Sequence, residues 1–200
     1  MKTLTRERFH FLDFKEYRAS KGRHSIHDYP AMLHYLLVRF FIKNLTNHDS
    51  IIYDPFCGSG VSIVEGLKQK RKIFGTDINP LALLIADVRA SDFDINIIDE
   101  YLKRLKNEWN KLTSEIPSVK NIDYWFKDYV IKDLGRIRRF LKKIDDEKIS
   151  KFFLVVFSQT VRDVSNNRKG EFKRYRIEKS KLKNFCPNVK ETFLKMLTAS

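Results

Sequence analysis

The sequence predicts an α/β fold, a partial parallel sheet of two short strands with a helical region attached. Three observations carry this. Ser50-Ile51-Ile52 is a short apolar run, followed by the turn Tyr53-Asp54-Pro55-Phe56-Cys57-Gly58-Ser59-Gly60 and by a helix-like stretch from Val61 to Lys70. A strand, a tight glycine turn and a helix N-terminus together form a ligand-binding corner. Lys72 to Asp77 then reads as a second strand that ends in an acid, and Asn79-Pro80 opens a helix over Leu81 to Val88. Short strands alternating with short helices call for parallel pairing. Further on, Ile97, Tyr101, Leu105, Trp109 and Leu112 fall three or four residues apart, the period of a helix.

In chain order, residues 1–25 mix Phe9, Phe11, Leu12, Phe14 and Tyr17 with charges, and Ser20-Lys21-Gly22-Arg23 reads as a loop. Asp28-Tyr29-Pro30-Ala31-Met32 precedes a helix over Leu33 to Ile42, with Pro30 suited to its first turn. That helix is apolar almost all round, which predicts substantial burial. Asn44 to Asp49 is a polar loop into the first strand. Beyond the second strand the pattern predicts helices over 96–112, about 129–144 and about 149–164, with the aromatic cluster Asp123-Tyr124-Trp125-Phe126 introducing the second of them. Ser165-Asn166-Asn167-Arg168-Lys169-Gly170 is a loop by composition, and Val189 to Leu197 is a final helix. The organisation expected is an α/β part over 1–94, a helical region over 95–165, and a basic loop with a C-terminal helix over 166–200. No internal repeat or low-complexity segment stands out.

Composition narrows the function classes. The 200 residues hold 42% hydrophobic side chains, enough for a core. Two cysteines, Cys57 and Cys186, give neither a disulfide framework nor a metal spacing, and the histidines are scattered; the expectation is no metal and a reducing cytoplasm. No apolar run approaches the roughly 20 residues of a membrane span, so no membrane partner is expected. Net charge is +14 but uneven: residues 51–100 hold 5 basic and 8 acidic side chains, whereas residues 151–200 hold 12 basic and 4 acidic. The corner thus lies in a mildly acidic stretch flanked by basic ones. A polyanion such as DNA fits that pattern; a generally lysine-rich surface is the plainer alternative.

Two glycines alone are a weak signal, and no third glycine completes a dinucleotide fingerprint. The combination is stronger. Asp54 closes the first strand, and Asp77 closes the second, 17 residues after Gly60. A carboxylate there suits the hydroxyls of a ribose, with the other end of an adenosine-type ligand over Gly58-Ser59-Gly60. Cys57 reads as a small buried residue rather than a nucleophile.

Asp54-Pro55-Phe56-Cys57-Gly58-Ser59-Gly60 resembles the cofactor motif of S-adenosylmethionine-dependent DNA amino-methyltransferases, which act on the exocyclic amine of cytosine or adenine. Gly75-Thr76-Asp77-Ile78-Asn79-Pro80 resembles the family's next motif, and Asp28-Tyr29-Pro30-Ala31-Met32 the segment that packs near the methionine end. These matches cover residues 28–80. A softer one runs from Phe157 to Arg176 and includes Gly170-Glu171-Phe172. The resemblance implies a partial Rossmann-like methyltransferase sheet. It also implies S-adenosylmethionine as cofactor, held by Tyr29, Pro30, Ala31, Asp54, Pro55, Phe56, Cys57, Gly58, Ser59, Gly60, Asp77, Ile78 and Asn79. Interleaved basic, amide and aromatic residues suggest nucleic-acid contacts from Arg162, Ser165, Asn166, Arg168, Lys169, Lys173, Arg174 and Arg176.

One part of the family pattern is missing. Amino methylation in the family uses a polar or acidic residue, two prolines and an aromatic ring. The five prolines, Pro30, Pro55, Pro80, Pro117 and Pro187, are never adjacent. Carbon methylation through Pro-Cys fails as well, because Cys57 follows Phe56 and Cys186 precedes Pro187. No residue of this chain is therefore expected to be catalytic. The expectation is an enzyme of a restriction–modification system whose catalytic segment lies elsewhere, on a second subunit or in a missing continuation. Met1 and the terminal helix favour the split enzyme. A fragment of a transfer-RNA guanine methyltransferase and a non-catalytic nucleic-acid-binding module are the alternatives.

Overall fold

The computed structural model of the chain describes residues 12–18, 21–170 and 173–199. Phe9 and Phe11, Ser20 of the expected first loop, and Glu171-Phe172 of the softer match lie outside the described residues. A 3-10 turn over Gly22–Ser25 leads to α1 (Tyr35–Leu45), β1 (Ile51–Asp54), α2 (Val61–Lys68), β2 (Lys72–Gly75) and α3 (Pro80–Ala90). The helical region follows as α4 (Ile95–Glu108), a 3-10 turn over Trp109–Lys111, the short α5 (Ile122–Trp125), α6 (Asp128–Leu141) and α7 (Glu147–Val164). A single turn, α8 (Lys179–Leu182), precedes the last helix, α9 (Val189–Ala199).

β1 and β2 pair in parallel, with Ile51 opposite Lys72 and Asp54 opposite Gly75. The sheet is thus small and parallel, two strands set amid helices, as the alternation of short strands and helices predicts. Its faces differ. Ile73 and Gly75 look toward α2: a Cβ on Gly66 of that helix would fall 2.8 Å from Ile73, and one on Gly75 would fall 2.8 Å from Ile63. The alternate residues Ile51, Tyr53 and Phe74 are 61–68% exposed, so that face of the sheet is open.

Two expectations need correction at α1. It begins at Tyr35, capped by the His34 ring, which accepts from the Leu36 amide at 3.2 Å; Pro30 and Ala31 form a separate turn upstream. Pro30, expected in the first turn of the helix, therefore lies outside it. Nor is α1 substantially buried. Only Tyr35 and Ile42 are, while Phe41 and Leu45 are exposed; among the described residues the helix packs chiefly on α2.

The core lies in the helical region and draws in the end of α3. Ile85 and Val88 join Leu102, Leu105, Val130, Ile137, Phe140, Phe153, Val156 and Phe193 in one apolar cluster. Strong amphipathic periods in α4, α6 and α7 explain it, since each turns one apolar stripe inward. Asp94 and Asp146 cap α4 and α7 by accepting from backbone amides. Among the described residues, no helix is long and apolar enough to cross a membrane.

The stretch after α7 is more ordered than its loop-like composition suggests. Asn167 and Arg176 form an antiparallel bridge, with the Arg168 amide donating to Tyr175 and the Ile177 amide donating to Asn166, each at 2.8 Å. Gly170, with φ +79°, lies between them.

Candidate functional site

The corner is built from the turn outward. At the end of β1, the Asp54 carboxylate accepts from the Phe56 amide at 3.0 Å and from the Ser62 hydroxyl, tying the turn to the first turn of α2. Gly58 and Gly60 adopt left-handed φ values of +50° and +80°, which other residues adopt only at a cost. Gly60 also lets α2 and α3 approach: a Cβ there would lie 2.6 Å from the Ala86 Cβ and 2.9 Å from its Cα.

Asp77, just past β2, gathers the loop. One oxygen accepts from the Gly58 amide at 2.9 Å and the other from the Asn79 amide at 2.8 Å. The side chain is half-buried and each oxygen keeps a further lone pair. Asn79 caps α3 through the Leu81 amide, and its side-chain nitrogen donates to the Tyr29 hydroxyl at 3.1 Å. The Tyr29 ring stands 3.6 Å from the place a Gly58 Cβ would take. Three distant stretches, 28–32, 54–60 and 77–80, therefore meet at one place. Pro55 and Phe56 are exposed on the turn, and Ile78 is fully exposed beside Asp77. An acid with exposed apolar side chains nearby, over a loop whose Gly58 and Gly60 carry no Cβ, fits an adenosine-type ligand. Ser59 is buried. Cys57 is buried too, and burial pushes its thiol up, with Asp54 and Asp77 adding to the effect, so it is no ready nucleophile. Ala31, beside Pro30, is a non-glycine residue at φ +58°.

Two buried charges under the corner are not evident from the motifs. Arg89, at the end of α3, is fully buried. It donates to the Ser59 carbonyl at 3.0 Å, the Ser59 hydroxyl at 2.6 Å, and the carbonyls of His24 and His27 at 2.8 and 2.7 Å. Burial lowers its pKa to about 10. Glu65 of α2 is also fully buried and binds His24 at 2.8 Å, Arg39 at 2.7 Å and Lys68 at 3.0 Å. Burial alone would raise its carboxyl, but these three partners outweigh it and hold the pKa at about 2. His27, buried against the Ser158 hydroxyl at 3.1 Å, has its pKa lowered to about 4, first by burial and then by Arg162 and Arg89. The one sequence signal for Arg89 is a lone inward-falling base in a helix otherwise charged only at Asp87.

Beyond Tyr29 and Pro30 opens a cavity of about 880 Å³, lined by Trp125, Phe126, Phe157, Arg138, Arg162 and Arg174 among others. Tyr29 and Pro30 also line it, so corner and cavity share a wall. The suggested nucleic-acid residues divide here. Arg162, Ser165 and Arg174 line the cavity, although Arg162 also donates to the Asp28 carbonyl. Lys169 and Lys173 are exposed, Arg168 pairs with Glu178 at 2.9 Å, and Arg176 lies over the Tyr124 ring at 4.2 Å. Asn166 is buried, its backbone amide donating to the Trp125 carbonyl at 2.7 Å, so in this arrangement it ties the start of the 167–176 bridge to α5 rather than facing a ligand. Among the described residues, no group of three or more acids, histidines or cysteines is placed to hold a metal.

Comparison with known proteins points the same way. Residues 4–87 match the model of a DNA methylase family, the N6/N4 methyltransferases, whose methyl donor is S-adenosylmethionine. The chain is 35% identical over 198 residues to a type II methyltransferase, M.MvaI, of Kocuria varians, covering 92% of this chain and 44% of that protein. It is 32% identical over 155 residues to a type II methyltransferase, M.MjaII, of Methanocaldococcus jannaschii, covering 74% of this chain and 29% of that protein. The chain thus spans less than half the length of these curated relatives. No solved structure matches it. The resemblance to DNA amino-methyltransferases read from residues 28–80 therefore stands on the family model and on both relatives.

Proposed function

We propose that this chain is the S-adenosylmethionine-binding part of a site-specific DNA amino-methyltransferase of a restriction–modification system. The observation that carries the reading is the meeting of Tyr29, Gly58 and Asn79 around Asp77. Asp77 would take the ribose hydroxyls, Phe56 and Ile78 would flank the purine, and Tyr29 to Ala31 would close on the methionine end. Asp54 also holds the loop, its two oxygens engaged by the turn and by α2. When bound, the cofactor supplies an electrophilic methyl group. The acceptor would approach from the cavity across Tyr29 and Pro30, where rings of Trp125, Phe126 and Phe157 suit a base and the arginines suit phosphate.

The chain has no adjacent prolines, and its sheet keeps one face open. We therefore infer that the catalytic segment comes from other polypeptide and packs on that face, whether as a second subunit or as further sequence. Cytosine and adenine are equally compatible with the corner.

The test is tritiated methyl transfer to duplex DNA and to transfer RNA, with and without a polypeptide carrying the family's Ser/Asp-Pro-Pro-Tyr motif. The expected result is cofactor binding by the chain alone, no transfer by it, and transfer to DNA on complementation. Transfer by the isolated chain would overturn the need for another segment. Transfer to transfer RNA alone would favour an RNA enzyme, and no cofactor binding at millimolar concentration would leave a non-catalytic module.

A further inference from the structure

Arg89 presents an imbalance that the corner's motifs do not explain. Its guanidinium is fully buried, yet each hydrogen-bonded partner is neutral: the Ser59 carbonyl and hydroxyl, the His24 and His27 carbonyls, and the Met32 sulfur. Its Nε has no hydrogen-bond partner among the described residues. Among the described residues it makes no ion pair with a carboxylate. The nearby acid that it senses, Asp28, is exposed. The buried acid Glu65 is already engaged by His24, Arg39 and Lys68. A buried charge without a counter-ion is expensive, and it persists where something else supplies the opposite charge.

The location of Arg89 suggests what that is. It holds both oxygens of Ser59, in the middle of the glycine turn, immediately before the N-terminus of α2. That helix terminus already favours negative charge over the same turn. Two independent sources of positive potential thus converge on one loop, in surroundings where little water screens them. His24 and His27, also joined to Arg89, lie on the stretch that leads into Tyr29.

On the reading that S-adenosylmethionine occupies the corner, we propose that Arg89 is a positioning residue that selects for the carboxylate of the ligand's amino-acid end. It fixes Ser59 and the 24–27 segment in place, and its charge acts through the loop without touching the ligand. A ligand lacking that carboxylate leaves the guanidinium uncompensated and binds less well.

The experiment is calorimetric binding of S-adenosylmethionine and of decarboxylated S-adenosylmethionine to the wild-type chain, Arg89→Gln and Arg89→Lys. Gln keeps a donor but not the charge; Lys keeps the charge. The wild type should prefer the carboxylate-bearing ligand by about ten-fold or more, Arg89→Lys should retain most of that preference, and Arg89→Gln should bring the ratio close to one. Equal weakening of both ligands in Arg89→Gln, with the ratio preserved, would reduce Arg89 to a structural brace and overturn the proposal. If Arg89→Gln does not fold, the wild-type ratio still decides, because no preference there overturns it. Failure of the wild type to bind either ligand would instead remove the cofactor reading on which this one rests.

Discussion

The helical body and the small sheet are built on opposite terms. In the body, α4, α6, α7 and α9 enclose Leu105, Ile137, Phe140, Phe153 and Phe193, all fully buried, and Phe153 has four aromatic neighbours with ring centroids within 6.5 Å. The sheet has two strands, one covered face, and an open face carrying Ile51, Tyr53 and Phe74. A two-stranded sheet is marginal by itself. What steadies it is polar: Asp77 and Asp54 within the corner, and Arg89 and Glu65 beneath it. The contrast teaches that stability is concentrated in the helices, while the ligand site lies on the part that depends on others.

The largest effect should come from the body. Phe153→Ala should cost about 3–5 kcal/mol in urea unfolding, since it empties the centre of the aromatic cluster. A smaller loss would mean that the helices do not dominate stability.

Acid should weaken the fastening between the two regions. Unfolded His27 takes a proton near its ordinary pKa of 6.5 but the folded one only near 4, so protonation favours the unfolded chain. Its contribution is full above pH 6.5 and declines as pH falls toward 4, by up to about 3 kcal/mol. Glu65, low when folded at about 2 against 4.5 unfolded, contributes above pH 4.5 and loses that as pH falls toward 2. Unfolding curves between pH 7 and 3 should therefore show steadily falling stability, and His27→Gln should flatten the upper part of the decline.

Next is Gly60→Ala, which places a Cβ against the Ala86 backbone at a left-handed φ; a loss of about 1–3 kcal/mol and of cofactor binding is expected, measured by unfolding and calorimetry. Smallest is Tyr53→Ser on the open face, which should change stability by less than about 0.5 kcal/mol in urea unfolding. A large loss there would mean that the face is covered within this chain.

The same contrast governs what the sequence discloses. The corner is legible because its chemistry is local: Gly58 and Gly60 answer a backbone demand, and Asp54 and Asp77 end adjacent strands. The three long helices after residue 95 are legible from period alone. α1 misleads because apolar residues all round a helix predict burial only if other elements surround it, and among the described residues it packs chiefly on α2. Arg89 and Glu65 are illegible because, Lys68 apart, the partners of Glu65 and Arg89 lie 26 to 65 residues away in sequence. The 167–176 bridge hides because its residues have turn-like composition, and the cavity because it is assembled from α5, α6, α7 and the turn at Pro30.

The most direct test of the central claim is equilibrium binding of S-adenosylmethionine to the isolated chain and to Asp77→Ala. The account predicts saturable one-to-one binding by the wild type, and a dissociation constant raised about 10- to 100-fold in the variant, as loss of charged hydrogen bonds to a ribose requires. Binding unchanged by Asp77→Ala, or no binding by the wild type, would contradict it.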